Sequence, residues 1–159
     1  MAISPYIKKL REKIGNDLLL LPSVSAIILN AQGHVLLQRS SDDGKWYTVG
    51  GAIDPHEQPA DAVVREVEEE TGLKVRPIRI TSVETSPVIT YPNGHQAQYV
   101  GTTFLCEIIG GKLCCNDDES LEVKFFPLDQ LPELRPDQLW RLRYATTGKE
   151  NASFKEPKG

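Results

Sequence analysis

The chain has 159 residues, of which 40% are hydrophobic and 25% are charged, and its formal net charge is −4. This length fits one domain with its own hydrophobic core, and a pI near 5.4 argues against a protein that coats nucleic acid or binds an anionic membrane. The sequence has no apolar run near the ~20 residues that span a bilayer, and its first ten residues lack the apolar segment typical of a secretion signal, so we expect neither a membrane span nor secretion. Three cysteines without disulfide or zinc spacing favour a reducing, cytoplasmic location.

The order of predicted elements indicates a mixed α/β domain. Apolar residues recur at helical spacing over residues 5–15 and again over 136–144, which predicts a helix near each end. Runs of β-forming residues bounded by turns predict strands at residues 23–29, 34–38, 46–49, 74–83, 96–109 and 122–126. We expect the first two strands to pair as a β-hairpin, and the polar tail 146–159 to fray.

A third helix is predicted in the middle of the chain, between a residue that favours a helix start and one that favours a helix end. Pro59 suits the first helical position, where no backbone N–H is needed. Gly72 suits the position just beyond the helix end. An apolar arc of this helix should face a core, and it consists of Ala60, Val63, Val64 and Val67.

The same helix carries an acidic arc. Glu66, Glu69 and Glu70 are spaced i, i+3 and i+4, so their carboxylates should project together. Like charges at this spacing destabilise a helix by roughly 0.2–0.5 kcal/mol per pair, and a bound cation would reverse that effect. Oxygen ligands favour Mg²⁺ or Mn²⁺. Such a charge run is by itself more often a solvated helix face, and the residues that precede it decide between the two interpretations.

The stretch from Gly51 to Leu73 resembles the Nudix box, Gly-x₅-Glu-x₇-Arg-Glu-U-x-Glu-Glu-x-Gly-U, where U is aliphatic. Every specified position is filled: Gly51, Glu57, Arg65, Glu66, Val67, Glu69, Glu70, Gly72 and Leu73. Family members often have proline before the paired glycines, where this chain has Val49. The resemblance implies an α/β fold, the Nudix-type α/β/α sandwich with a mixed β-sheet between helices, as a single domain over residues 1–159.

The resemblance also implies the chemistry of the box. Diphosphate hydrolysis needs in-line attack of water on phosphorus, and a divalent metal activates the water and neutralises the phosphate oxygens. The implied metal ligands are the carbonyl oxygen of Gly51 and the carboxylates of Glu66, Glu69 and Glu70.

Other residues are expected to support catalysis. Glu66 and Glu69 are catalytic candidates, and Arg65 should hold glutamate carboxylates by bidentate pairing. Glu57 should pair with Arg65 or with a metal-bound water. Glu119 is a further candidate from a later acidic loop, although a solvated acidic turn is the competing interpretation.

Candidate substrate-binding residues lie outside the box. Arg39 is placed to bind phosphates, although a surface arginine is equally consistent. Trp46 could stack on a base, but an aromatic residue in a strand is more typical of a core. Tyr91 and Gln98 belong to a polar stretch suited to a terminal ribose.

The resemblance implies a hydrolase of a nucleoside diphosphate linked to another moiety. ADP-ribose is favoured, because Pro87 lies near the position after the box where members acting on ADP-ribose typically have a proline. A competing hint is Tyr91, which lies near a tyrosine typical of members acting on dinucleoside polyphosphates. A house-cleaning (d)NTP pyrophosphatase and a non-catalytic nucleotide-binding regulator remain alternatives. The expected partner is a small nucleotide, with no nucleic acid or membrane, and the apolar N-terminal helix would suit a homodimer.

Overall fold

The computed structural model describes residues 3–115 and 120–159. Within these residues the helices are α1 (Pro5–Ile14), α2 (Pro59–Thr71) and α3 (Pro136–Thr146). The strands are β1 (Leu19–Ile28), β2 (Val35–Ser40), β3 (Trp46–Ala52), β4 (Leu73–Thr85), β5 (Ile89–Thr90), β6 (Gln96–Gly111), β7 (Ser120–Phe126) and β8 (Ser153–Phe154). The three predicted helices are present, and their observed limits lie within two residues of those expected.

The described strands form a mixed sheet in the order β7-β2-β3-β1-β6-β4-β8, with β5 paired to β6. β1 runs parallel to β6 and β4 runs parallel to β8, whereas the other pairs are antiparallel. The expected pairing of β1 with β2 as a hairpin is wrong: among the described residues, an isolated bridge from Leu29 to Val35 and a hydrogen bond from the Asn30 N–H to the His34 carbonyl oxygen close the turn, but no ladder joins the two strands. The two strands separate because β3 enters between them and pairs with both.

The two faces of the sheet carry separate apolar clusters, because side chains alternate along a strand. Val24, Ala26 and Ile28 of β1 lie in the cluster that α2 covers. Ile27, from the same strand, lies in the cluster that contains Leu142 of α3. Helices therefore cover both faces, and the predicted α/β/α arrangement is confirmed.

The buried face of α2 differs from the predicted apolar arc. Ala60 is exposed, whereas Ala62 is fully buried. The buried residues follow two adjacent i, i+4 rows, and these rows are Ala62, Glu66, Glu70 and Val63, Val67, Thr71. Glu66 and Glu70 are each only 3% exposed. Two of the three glutamates of the acidic arc therefore face the sheet rather than solvent.

Helix α3 holds β3 from the opposite face, just before the paired glycines. Gln138 Oε1 accepts hydrogen bonds from the backbone N–H and the hydroxyl of Thr48, both at 2.9 Å. Arg141 is buried, donates to Ser25 Oγ on β1 at 2.9 Å, and pairs with the Glu84 carboxylate on β4 at 3.2 Å. These buried polar contacts connect α3 to three strands and so fix the position of β3.

The sequence led us to expect that the whole tail frays, but part of it is ordered. Ser153 and Phe154 form β8, which adds parallel to β4 at the edge of the sheet. Lys155 Nζ lies 3.2 Å from Glu84 Oε2 and 5.2 Å from the ring centroid of Trp140. A long-range ion pair with a buried carboxylate thus anchors a segment whose local composition gives no periodic signal.

The N-terminal helix α1 lies on the surface of the domain, and none of its residues is buried. It is held by Arg11, which donates to the carbonyl oxygens of Asp17 and Gln96, both at 2.7 Å. A homodimer through this helix stays a prediction. No helix among the described residues combines the length and apolar character needed to cross a membrane.

Gly50 has no room for a side chain, because an added Cβ would lie 2.1 Å from the Val24 carbonyl oxygen. Gly50→Ala is therefore expected to lower the free energy of unfolding by about 1–3 kcal/mol, the usual cost of overpacking. Urea denaturation followed by circular dichroism measures this. Gly110→Ala is the matched control, since its added Cβ would meet Lys74 at an ordinary 3.9 Å. Equal stability of the two variants would contradict the close approach of β1 and β3.

Candidate active site

Arg65, in the middle of α2, is the centre of a polar cluster between this helix and the loop that precedes it. Its Nε and Nη2 donate to the two carboxylate oxygens of Glu57, at 2.6 and 2.9 Å. Its Nη1 donates to Glu66 Oε1 at 2.9 Å and to Glu69 Oε2 at 3.3 Å. Its Nη2 also donates to the carbonyl oxygen of Ala52 at 3.2 Å. One guanidinium thus joins three carboxylates of the box to the backbone of β3.

The loop between β3 and α2 is held by local hydrogen bonds. The backbone N–H of Asp54 donates to Glu57 Oε2 at 3.0 Å, and the N–H of Glu57 donates back to the Asp54 carbonyl oxygen at 3.2 Å. His56 has a φ of 69°, which is uncommon outside glycine. The helix begins at Pro59 and ends at Gly72, whose left-handed φ of 72° lets its N–H bond the Glu68 carbonyl oxygen. Pro59 and Gly72 therefore begin and end the helix as predicted.

Glu70 is held by donors from the sheet. Gln38 Nε2 donates to Glu70 Oε2 at 2.9 Å, and the backbone N–H of Gly50 donates to the same oxygen at 3.2 Å. Gln38 is not among the functional residues expected from the sequence. Strand alternation offers a signal for it, because Gln38 shares its face of β2 with Leu36, which packs in the cluster under α2.

Burial and the neighbouring charges shift the acidity of the cluster in opposite directions. Burial raises the pKa of Glu66, and the nearby Glu69 charge adds to this, while Arg65 opposes it. The hydrogen bond from Arg65 lowers the pKa of Glu57 below its ordinary value. The same bond raises the pKa of Arg65. The site therefore contains a strongly held ion pair beside a carboxylate whose negative charge is disfavoured by burial.

The donors of this site fit a hard divalent cation. Glu66, Glu69 and Glu70 offer carboxylate oxygens from one helix, and such oxygens are the preferred ligands of Mg²⁺ and Mn²⁺. Gly51 lies between Gly50, which donates to Glu70, and Ala52, which accepts from Arg65, so its backbone borders the same cluster. Within the described residues, no three acidic, histidine or cysteine side chains already converge on one point. In this arrangement Arg65 binds oxygens of Glu66 and Glu69.

Two of the substrate-binding candidates lie on the other face of the sheet. Arg39 pairs with Trp46 across β2 and β3, and Trp46 packs in the cluster under α3, edge-on to Phe126 at 4.8 Å between ring centroids. Arg39 Nε is buried and makes no hydrogen bond to the described residues, although Glu122 Oε2 lies 3.9 Å away. Roles for Arg39 and Trp46 in substrate binding stay predictions.

The other two candidates lie close together near the β5–β6 hairpin. The hydroxyls of Tyr91 and Tyr99 are 2.7 Å apart. Gln98 Nε2 donates to the carbonyl oxygen of Ser86 at 3.0 Å, and Ser86 Oγ accepts from the N–H of Tyr99 at 3.0 Å. Glu119 lies outside the described residues. Substrate contacts by Tyr91 and Gln98 and catalysis by Glu119 therefore also stay predictions.

Comparison with known proteins identifies the family. The model of the NUDIX domain matches residues 19–146, which include strands β1 to β7 and all the residues of the cluster described above. The chain therefore belongs to the Nudix family.

Curated relatives carry several activities in their names. The chain is 34% identical over 117 residues to an ADP-ribose pyrophosphatase of Methanocaldococcus jannaschii, covering 72% of this chain and 66% of that protein. It is 33% identical over 115 residues to 8-oxo-dGDP phosphatase NUDT18 of Mus musculus, covering 69% of this chain and 33% of that protein. The match thus spans about two thirds of the first relative and one third of the second.

Solved structures share the fold. An ADP-ribose pyrophosphatase from Streptococcus suis 89-1591 matches with a TM-score of 0.65 and 26% identity, over 84% of this chain and 96% of that one. A UDP-X diphosphatase matches with a TM-score of 0.69 and 22% identity, over 97% of this chain and 75% of that one. At that identity, the second match supports the fold alone.

The ion pair between Glu57 and Arg65 should make the stability of the metal-free protein depend on pH. A carboxylate whose pKa is lowered in the folded state adds stability above its unfolded pKa, near 4.3, and loses that contribution as pH falls through the folded pKa. Glu57→Gln should therefore destabilise the protein most near neutral pH. The difference from wild type should shrink below about pH 4. Urea denaturation at several pH values in the presence of a chelator measures this.

Glu156→Gln provides the control for removal of one carboxylate, because Glu156 is exposed in the tail. It should show little difference from wild type across the same pH range, as is usual for an exposed surface substitution. A Glu57→Gln difference that stays constant from pH 7 to about pH 3 would show that the ion pair with Arg65 does not stabilise the loop.

Proposed function

We propose that the protein is a metal-dependent pyrophosphohydrolase that cleaves the diphosphate bond of a nucleoside diphosphate linked to another moiety. The observation that carries this proposal is the cluster of Glu57, Glu66 and Glu69 around Arg65, with Glu70 held by the sheet. A nucleotide-binding regulator would not need this complete set of carboxylates. The cluster therefore favours catalysis over binding alone.

The proposed mechanism assigns a separate role to each carboxylate. Glu66 and Glu70 would hold the divalent metal, which lowers the pKa of bound water and neutralises phosphate oxygens. Glu69, whose side chain is 58% exposed, reaches solvent and would take the proton of the attacking water on Oε1. Its Oε2 accepts from Arg65, so the carboxylate is held in a fixed orientation. Arg65 thus serves to position carboxylates through directional, charge-assisted hydrogen bonds.

ADP-ribose is the proposed substrate within this class. Two proteins similar to this chain are named as ADP-ribose pyrophosphatases, one from the curated relatives and one from the solved structures. Tyr91 and Tyr99 form a hydroxyl pair in which the accepting oxygen keeps a proton to donate. Such a group suits a ribose hydroxyl, and a substrate without that hydroxyl would leave a half-buried hydroxyl without its partner.

Hydrolysis should require Mg²⁺ or Mn²⁺ and stop with a chelator. Glu69→Gln and Glu70→Gln should each lower kcat by roughly 10²–10⁴-fold, the usual range for loss of a group that activates water. Arg65→Ala should lower kcat while the folded variant still binds Mn²⁺, because Arg65 bonds the carboxylates rather than the ion. Steady-state kinetics with calorimetry of Mn²⁺ binding separates these effects. Wild-type rates and Mn²⁺ affinity in both glutamate variants, or no Mn²⁺ binding by folded Arg65→Ala, would contradict these roles.

A substrate screen tests the proposed function itself. With Mg²⁺, ADP-ribose and water should yield AMP and ribose 5-phosphate, with no orthophosphate, and chromatography of the products measures this. Sugar nucleotides, dinucleoside polyphosphates and (d)NTPs provide the comparison. A kcat/KM at least tenfold higher for a (d)NTP or a dinucleoside polyphosphate would reject ADP-ribose. Failure to cleave any of these compounds would reject the hydrolase.

A further inference from the structure

A chain of hydrogen bonds runs from strand β7 through β2 to the buried glutamate Glu70. Ser120 Oγ donates to Gln38 Oε1 at 2.8 Å, and Gln38 Nε2 donates to Glu70 Oε2 at 2.9 Å. The N–H of Gly50 donates to the same carboxylate oxygen at 3.2 Å. Glu70 and Ser120 are buried and Gln38 is half-buried, so these bonds lie largely away from bulk water.

The order of donors in this chain is set by chemistry. An ionised carboxylate only accepts, so Gln38 must turn its NH₂ group toward Glu70 and its carbonyl oxygen toward Ser120. The serine hydroxyl then donates to that oxygen. With two donors on Oε2, the Glu70 carboxylate is fixed in rotation, and the direction of its second oxygen, Oε1, is fixed with it.

A β-bulge brings Ser120 into this position. In the pairing of β2 with β7, Arg39 lies opposite Glu122 but Ser40 lies opposite Ser120, so Leu121 is the additional residue. Without the bulge, strand alternation would place Ser120 on the opposite face from Gln38. Bulges of this kind re-aim side chains and are common beside active sites. The irregularity therefore has a direct consequence for the Glu70 carboxylate.

We propose that Gln38 is a positioning residue that orients Glu70 as a metal ligand, and that Ser120 acts on Glu70 only through Gln38. The proposal rests on the metal-dependent function proposed above. Residues that orient metal ligands typically contribute 10–100-fold to metal affinity or activity. Gln38 and Ser120 would contribute in this way without touching the metal or the substrate.

Calorimetric titration with Mn²⁺, in the absence of substrate, tests this proposal. Gln38→Met keeps the length of the side chain but removes its donor, and should raise the Kd for Mn²⁺ about 10–100-fold. Ser120→Ala should raise the Kd less, and Ser120→Thr, which keeps the hydroxyl, should recover most of the loss. In kinetics, Gln38→Met should lower kcat at fixed Mg²⁺ while the KM for the nucleotide moves less than about twofold.

The double variant provides the sharpest comparison. If Ser120 acts only through Gln38, Gln38→Met with Ser120→Ala should bind Mn²⁺ within about twofold of Gln38→Met alone. Lys124→Gln is the control for substitution in β7, because Lys124 lies over the Phe126 ring, away from Gln38. Its Kd should match that of wild type.

Several results would overturn the proposal. If the increase in Kd for Mn²⁺ in the double variant equals the product of the increases in the two single variants, Ser120 acts independently of Gln38. A lower thermal midpoint in Gln38→Met with an unchanged Kd for Mn²⁺ would show a purely structural role. A wild-type protein that does not bind Mn²⁺ would also reject it. If wild type binds Mn²⁺ but cleaves no diphosphate, the proposed function fails, and the Mn²⁺ affinities of the variants still decide the role of Gln38.

Discussion

The Arg65 guanidinium makes it possible for several negative charges from α2 and from the loop before it to lie together. Glu57, Glu66 and Glu69 each bond to it, and the bidentate pair with Glu57 holds the preceding loop against the helix. Burial of Glu66 without this cation would leave its charge uncompensated, which is strongly destabilising. The arginine and the glutamates of the family motif therefore depend on each other, because the arginine compensates the negative charge that the glutamates bring together.

The site also requires the backbone of β3 to pass close to α2. Gly50 comes so near to β1 that a side chain does not fit, and its N–H reaches Glu70 on α2. Thr48, two residues earlier, is bonded from the opposite face by Gln138 of α3. Helices on both faces thus determine where β3 places the paired glycines. The α/β/α layers position the carboxylates through this one strand.

The helix that carries the box was predictable because its signals are local. Pro59, Gly72 and the spacing of the glutamates all lie within one short segment, and the structure has the helix where they place it. The bond from Gln38 to Glu70 joins residues far apart in the chain, as does the parallel pairing of β8 with β4. Neither follows from local composition, and the expected β1–β2 hairpin was wrong because β3 lies between those strands.

Anomalous diffraction from crystals grown with Mn²⁺ is the decisive measurement for the metal site, because it locates the ion without reference to any substrate. We expect an anomalous peak at coordination distance, about 2 Å, from carboxylate oxygens of Glu66 and Glu70. We also expect Arg65 to stay paired with Glu57 in that crystal. A fully occupied Mn²⁺ peak elsewhere, with none beside α2, would show that Glu66 and Glu70 do not hold the metal.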